Sequence, residues 1–170
     1  LLTTVVFAEV PKAPAKPAPK PFALPAGVKM EKDIAYIEGG DEAQKLDIYV
    51  PETPSNKPLP LIVHIHGGGW IGGNKFPCPF VGMIFKRYAV ASVEYRFSQK
   101  AKFPAQIQDC QAAIRWLRAH AKQYNFDTER LGAIGGSAGG HLSALVGTSG
   151  GKKAFPPIGG NEDQSDRVQA

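Results

Sequence analysis

The sequence predicts an α/β fold with a mostly parallel sheet flanked by helices, and three observations support this prediction. Short segments with strand-like patterning alternate with segments of helical periodicity. Residues 61–65 (LIVHI) form an almost continuous apolar run, which is typical of a strand in the middle of a parallel sheet, covered on both faces. Two glycine-rich turns, at residues 67–69 and 135–140, each directly follow a predicted strand.

The periodicity of apolar residues places the individual elements. Leu46, Ile48 and Val50 alternate with other side chains, as expected for a half-buried strand. Apolar residues recur every three or four positions from 107 to 124, and the proline at 104 suits the first turn of the helix that this spacing predicts. The predicted elements are strands at 34–37, 46–50, 61–66, 89–94 and 131–134, helices within 76–88, 103–124 and 138–146, a turn at 127–130, a loop at 147–165, and the start of a further element at 167–170.

One serine lies at the bend of the second glycine-rich turn. Gly135, Ser137 and Gly139 have the Gly-x-Ser-x-Gly spacing of a nucleophile elbow, in which a strand turns sharply into a helix. The serine of such a turn has strained backbone geometry, and the two glycines let the strand and the helix approach each other. Its hydroxyl stands at the positive end of the helix, where a base can reach it. A Walker-type phosphate loop would need a lysine, which this turn lacks.

The first glycine-rich turn, residues 66–70 (HGGGW), has the composition of an oxyanion hole. Acyl transfer builds negative charge on a carbonyl oxygen, and successive glycines can turn their N–H groups toward that oxygen without a blocking side chain. The partner N–H would come from Ala138, which follows the elbow serine. Together the two turns predict a serine hydrolase.

These residues resemble the α/β-hydrolase esterases of the BD-FAE-like group, which are related to the hormone-sensitive-lipase-like carboxylesterases. The resemblance covers the chain from about Ala35 to its end, and rests on the residues at 66–70, 94–96, 127–130 and 135–141. It implies an α/β-hydrolase fold, of which residues 29–170 would be the N-terminal portion. It also implies that no metal or other cofactor is needed.

The resemblance assigns roles to individual residues of the two turns. Ser137 is the expected nucleophile. The N–H groups of Gly68, Gly69 and Ala138 are the expected oxyanion donors, and the choice among the glycines of the first turn stays open. The residues that the resemblance implies as supporting the two motifs are His66, Gly67, Trp70, Gly135 and Gly139.

The acid and the base of the catalytic triad have no evident candidates in this sequence. In the resembled family they follow the nucleophile along the chain, and the one histidine after Ser137 is His141. A residue one helical turn on cannot reach over the elbow, so we interpret His141 as a packing residue. We therefore expect the acid and base beyond residue 170, and expect the 170 residues alone to be inactive and marginally folded.

The remaining histidines and acidic residues have structural interpretations. His64 lies within the central strand and is interpreted as a core histidine, whereas His120 is expected to be solvated on the long helix. Asp109 is expected to stabilise its own helix or a nearby loop. Glu94 is a carboxylate without a plausible partner base.

The predicted function is hydrolysis of carboxylic esters through an acyl-enzyme. The resemblance implies a small-molecule or polysaccharide-linked ester as substrate, with acetylxylan-type and feruloyl-type esters as the first candidates. Two alternatives stay open. One is an arylformamidase-like amide hydrolase, and the other is a non-catalytic binding module, which would be expected to lose the serine or the glycines.

The N-terminal residues predict export and account for most of the basic charge. Residues 1–8 (LLTTVVFA) resemble the end of a signal peptide and are too short to span a membrane. Residues 9–28 form a linker rich in Pro, Ala and Lys, a composition that favours polyproline II. The first 29 residues carry +3 of the net charge of +5, which leaves +2 for the rest and gives no indication of nucleic-acid binding. We expect a periplasmic or extracellular protein.

Two cysteines, Cys78 and Cys110, lie far apart in the sequence. They have neither metal-ligand spacing nor the spacing of a Cys-x-x-Cys redox motif. Two buried thiols are the favoured interpretation, and a disulfide stays open for an exported protein.

Overall fold

The computed structural model describes residues 22–152 and 154–170. Residues 1–8, predicted as a signal-peptide remnant, and residues 9–21 of the predicted linker lie outside this description, so export stays a prediction. The elements, in chain order, are β1 (Val28–Ala35), β2 (Lys45–Pro51), β3 (Leu59–Ile65), a 3₁₀ helix (Val81–Lys86), β4 (Ala89–Val93), α1 (Ala105–Ala119), α2 (Ala121–Tyr124), β5 (Phe126–Gly135) and α3 (Ala138–Ser149).

The strands form one mixed sheet in the order β1-β2-β4-β3-β5, which agrees with the predicted α/β class. The connection from β1 to β2 is short, and these strands are antiparallel, as are β2 and β4. β3 pairs in parallel with both β4 and β5, and its residues Leu61, Val63 and Ile65 are almost completely buried. Ile65 pairs with Gly135, so the turns that follow β3 and β5 emerge side by side from the same edge of the sheet.

Two predicted helices are shorter in the structure. Within residues 76–88 only Val81–Lys86 is helical, as a 3₁₀ helix that ends at Arg87 in the left-handed conformation. Prolines at 77 and 79 and a glycine at 82 explain why the apolar spacing there does not produce a full α-helix. The predicted long helix is interrupted at His120, which separates α1 from α2. None of the helices in the described ranges is long and apolar enough to cross a membrane.

The predicted turn at residues 127–130 is part of β5. Pro60 pairs with Asp127, but the next residue of β3, Leu61, pairs with Leu131. Residues 128–130 therefore loop out of the ladder as an irregularity, and the polar sequence that predicts a turn is accommodated inside a strand.

The sheet is covered on both faces by apolar side chains. On one face α1 buries Ile107, Ile114 and Leu117 against the central strands. On the other face the 3₁₀ helix packs in a smaller cluster. Cys110 belongs to the first cluster and Cys78 to the second, and both are free buried thiols, as favoured from the sequence.

The last residues of the chain add extended backbone beside β5. The Gln169 amide donates to the Leu131 carbonyl, and the Ala133 amide donates to the Ala170 carbonyl, each at 2.8 Å. Arg118 of α1 supports this segment by donating to the Arg167 carbonyl at 2.7 Å. These bonds resemble strand pairing, but the structure assigns no regular element to residues 167–170, so the further element predicted there stays a prediction.

Candidate active site

Ser137 lies between β5 and α3, at the position that the elbow spacing predicts. Its backbone has φ 54° and ψ −123°, a conformation that L-residues rarely adopt, and its side chain is exposed. A Cβ atom added to either Gly135 or Gly139 would overlap the carbonyl oxygen of Ile65 at the end of β3. The two glycines therefore let α3 begin directly against the central strand.

The glycine turn after β3 contacts the elbow. A Cβ atom on Gly67 would lie 2.8 Å from the Gly136 carbonyl oxygen and 3.5 Å from the Ser137 Cβ. Gly68, Gly69 and Trp70 follow with positive φ of 121°, 63° and 61°. The structure thus brings together the two turns that the sequence singles out, although they are almost seventy residues apart.

Three backbone N–H groups in the two contacting turns have no acceptor within the described part of the chain. They belong to Gly68, Gly69 and Ala138, the residues predicted as oxyanion donors. Ala138 is the first residue of α3, and the amides of a first helical turn have no intrahelical acceptor. The Gly68 carbonyl accepts from the amides of residues 71 and 72 at 3.1 Å each, which holds the turn tightly folded.

His66 forms a buried pair with Glu94 at the base of the glycine turn. The His66 ring is 4% exposed, and its Nε2 lies 2.6 Å from Glu94 Oε1. Its Nδ1 lies 2.7 Å from the Gly67 carbonyl oxygen, and the Tyr95 ring stacks on it at 4.5 Å between centroids. Sequence reasoning missed this partner of Glu94. The available signal was that each residue is the last of a predicted strand, and these two strands are neighbours in the sheet.

His141 lies in the first turn of α3 and is exposed. Its amide donates to the Ser137 carbonyl at 3.0 Å, and its ring meets the Trp70 ring edge-on at 5.4 Å between centroids. Among residues 22–152 and 154–170, no imidazole or carboxylate hydrogen-bonds the Ser137 hydroxyl. This arrangement agrees with the interpretation of His141 as a packing residue.

A cavity of about 400 Å³ opens beside the elbow. It includes His141 and Leu142 of α3, Trp70 of the glycine turn and Phe103 before α1. Ser98 and Gln106 complete its lining. The cavity combines aromatic and apolar surface with a few polar groups, a composition typical of sites for small organic ligands.

A sequence profile of the family described as BD-FAE matches residues 46–169. The chain belongs to the BD-FAE family. The predicted resemblance to α/β-hydrolase esterases is confirmed by this match and by the relatives of the chain.

Two curated relatives and one solved structure illustrate the similarity. The probable carboxylic ester hydrolase LipM of Mycobacterium tuberculosis (strain ATCC 25618 / H37Rv) is 34% identical over 142 residues, which cover 81% of this chain and 32% of LipM. An arylesterase of Saccharolobus solfataricus is 36% identical over 127 residues, which cover 73% of this chain and 41% of the arylesterase. A truncated carbohydrate esterase from gut microbiota has a TM-score of 0.75 at 30% identity, over 82% of this chain and 54% of that one.

The likeness to solved esterases confirms the α/β-hydrolase fold of this BD-FAE family member. The chain spans between 32% and 54% of the length of the three proteins compared above. The activity of the whole protein is therefore a matter for proposal.

The remaining titratable residues that the sequence singled out lie away from the elbow. His64 is a core histidine, as predicted: its Nδ1 lies 2.9 Å from Ser92 Oγ, and burial lowers its pKa to about 4, with a smaller effect from the charge of His66. His120 is not simply solvated, because it is half-buried and stacks on Trp116 at 3.8 Å between centroids.

Asp109 is fully buried in α1 and links three parts of the chain. It accepts from the Arg96 guanidinium at 2.9 Å, from the Arg96 amide at 2.9 Å and from Gln44 Nε2 at 2.7 Å. The predicted role in stabilising a nearby loop is confirmed. In the ranges that the structure describes, no group of three or more His, Cys, Asp or Glu side chains could hold a metal ion.

Proposed function

We propose that this protein is a serine carboxylesterase in which Ser137 is the nucleophile. The observation that supports the proposal is the contact between the two glycine turns, one of which carries an exposed serine, and which together contain three backbone N–H groups without an acceptor in the described residues. A protein that used this fold only for binding would gain nothing from a strained, exposed serine held at that position.

The geometry supports an acyl-enzyme mechanism. Ser137 Oγ attacks the ester carbonyl carbon, and the negative charge that develops on the carbonyl oxygen is stabilised by the N–H of Ala138 together with those of Gly68 and Gly69. A general base takes the proton of the Ser137 hydroxyl and returns it to the leaving alcohol when the intermediate collapses, and water then hydrolyses the acyl-serine to release the acid. We propose that this base is a histidine other than the four of residues 1–170, because none of those imidazoles hydrogen-bonds the Ser137 hydroxyl.

The cavity beside the elbow supports esters with a compact acyl or aryl group as substrates. Its aromatic wall, from Trp70 and Phe103, suits an aromatic or short aliphatic group better than an extended chain. Relatives include an arylesterase and a carbohydrate esterase, and by likeness we propose acyl esters of carbohydrates or aryl esters for this protein. An N-acyl substrate such as N-formylkynurenine would use the same backbone N–H groups for its oxyanion. It is therefore included in the test below.

The test uses the full-length protein, a fluorophosphonate probe and a panel of acetyl, butyryl, feruloyl and long-chain esters with N-formylkynurenine. Ser137→Ala should abolish both labelling and turnover. Ser143→Ala is the matched control, because the Ser143 hydroxyl donates to the Gly139 carbonyl within the same helix and should leave activity unchanged. Labelling that survives in Ser137→Ala would contradict the assignment of Ser137 as the nucleophile. A preference for N-formylkynurenine over the esters would show that the substrate is an amide and not an ester.

A further inference from the structure

A single carboxylate joins the two ends of the glycine loop formed by residues 66–75. Glu94 Oε1 contacts His66 Nε2 at 2.6 Å, at the start of the loop, and Glu94 Oε2 accepts from the Lys75 backbone amide at 3.0 Å, at its end. The Glu94 side chain is only 13% exposed, so water competes weakly for both bonds. Glu94 directly follows β4, the parallel neighbour of β3, so its backbone is anchored by the sheet.

The His66 ring is held on both sides by hydrogen bonds. Its Nδ1 faces the Gly67 carbonyl, which can only accept, so Nδ1 donates to that oxygen. Its Nε2 shares a proton with Glu94 Oε1, and the other oxygen of that carboxyl group accepts the Lys75 amide. The Tyr95 ring stacks on the imidazole at 4.5 Å between centroids and restrains its plane.

The bond from His66 Nδ1 orients an oxyanion donor. The carbonyl of Gly67 and the N–H of Gly68 belong to the same planar peptide unit, in which a trans geometry points them in opposite directions. Holding the Gly67 oxygen on the His66 ring therefore fixes the direction of the Gly68 N–H. Glycines have little conformational preference of their own, and Gly68 has φ 121°, so this peptide needs external support.

We propose that Glu94 is a positioning residue for ester hydrolysis, which holds the His66 ring and so locks the Gly67–Gly68 peptide in the orientation that the oxyanion needs. The inference rests on the proposed function of Ser137. Glu94 touches neither the serine nor the glycine amides, and it acts through the His66 ring and through the Lys75 amide.

Glu94→Leu tests the inference in the full-length protein. Leucine has a similar size but can hydrogen-bond neither the His66 ring nor the Lys75 amide. We expect kcat to fall roughly 10-fold to 100-fold with KM changed less than about 3-fold, since the misplaced donor acts in the transition state. Glu31→Leu is the matched control, because the Glu31 carboxylate also accepts from two side chains, Lys29 and Tyr124, but lies on β1.

Two further measurements separate positioning from a general structural role. The amide resonance of Gly68 should shift between the wild type and Glu94→Leu, because the Gly67–Gly68 peptide loses its support. His66→Asn should lower kcat by itself, and adding Glu94→Leu should lower it little further, because both changes disrupt the same connection. Should Glu94→Leu unfold, Glu94→Asp keeps the carboxyl group but cannot span both partners, and the same loss of kcat is expected.

Each outcome decides between the inference and the proposed function. Ser137-dependent turnover combined with a kcat of Glu94→Leu within about twofold of wild type would overturn the positioning role. An unchanged Gly68 amide resonance in Glu94→Leu would overturn it independently of any activity. Absence of ester turnover in the wild type would reject the proposed function, and with it the role of Glu94 in hydrolysis, even if the Gly68 resonance shifts.

Discussion

Gly139, in the first turn of α3, packs directly against the carbonyl oxygen of Ile65 at the end of β3. A Cβ atom at position 139 would overlap that oxygen and would lie 2.6 Å from the carbonyl oxygen of His66. Both neighbours are backbone atoms of the central strand and its turn, so they cannot move aside as a flexible side chain could. Gly136, three residues earlier, has no atom within 4 Å of its Cβ position.

This contrast predicts opposite effects on stability for two conservative substitutions. Gly139→Ala should lower the free energy of unfolding by about 1–3 kcal/mol or more, because it overpacks a rigid contact. Gly136→Ala should change it by less than about 0.5 kcal/mol, because the methyl group enters open space. Urea unfolding of both variants beside the wild type is the measurement. Equal stability of the two variants would show that α3 can shift away from β3.

Trp70 is expected to contribute to substrate affinity through the cavity beside the elbow. Its ring lines the cavity together with Phe103 and is 38% exposed, which leaves a face for an aromatic substrate. Trp70→Ala should raise KM for aryl esters about 10-fold or more and affect acetyl esters less, because a lost apolar contact is worth about 1–3 kcal/mol.

The control for Trp70→Ala is Phe85→Ala. Phe85 is 60% exposed on the 3₁₀ helix and does not line the cavity, so its removal should leave KM unchanged. Steady-state kinetics with paired aryl and acetyl esters provide the comparison. Parallel rises in KM for both ester classes would mean that Trp70 does not discriminate between them.

The buried His64 predicts a loss of stability in mild acid. Its pKa is lowered from 6.5 to about 4 in the folded protein, mainly by burial. Between these values the unfolded chain binds a proton that the folded protein does not, so stability is complete above pH 6.5 and falls as the pH drops toward 4. At 1.36 kcal/mol per pKa unit, the total contribution is about 3 kcal/mol.

Urea unfolding at several pH values between 7.5 and 4 tests this prediction against His64→Asn. Asparagine can still donate to Ser92 but does not titrate, whereas all other ionisable groups are common to the two proteins. The difference in stability between wild type and variant should therefore shrink by about 3 kcal/mol as the pH falls. A constant difference across this range would show that His64 does not titrate as proposed.

The sequence alone determined the features that depend on local spacing. Gly135, Ser137 and Gly139 lie within five residues, and the steric demand that links them acts within one turn, so their pattern is readable without a structure. The apolar spacing of α1 and the continuous apolar run of β3 are local in the same sense, because the period of a helix or strand is expressed in consecutive residues.

At two segments of the chain, local composition predicts an element that differs from the one observed. The apolar spacing at residues 76–88 predicts a helix, but only a 3₁₀ helix forms there, between prolines and a left-handed Arg87. The polar residues at 127–130 predict a turn, yet β5 continues past them, because Asp127 and Leu131 on either side both pair with β3 while residues 128–130 loop out of the ladder. The first outcome follows from the local prolines and glycine, whereas the second depends on a strand that is distant in sequence.

Only the tertiary structure paired His66 with Glu94. The two residues are 28 positions apart in the sequence. Each has several possible partners as long as the order of the strands in the sheet is unknown. Their contact follows from the parallel pairing of β3 with β4, which aligns Ile65 with Val93 and so brings the next residue of each strand together. Strand order is a property of how the whole sheet assembles, and hydrogen bonds between strands leave no periodic trace in the sequence. The glycine turns were therefore predictable, whereas the carboxylate that holds the first of them was not.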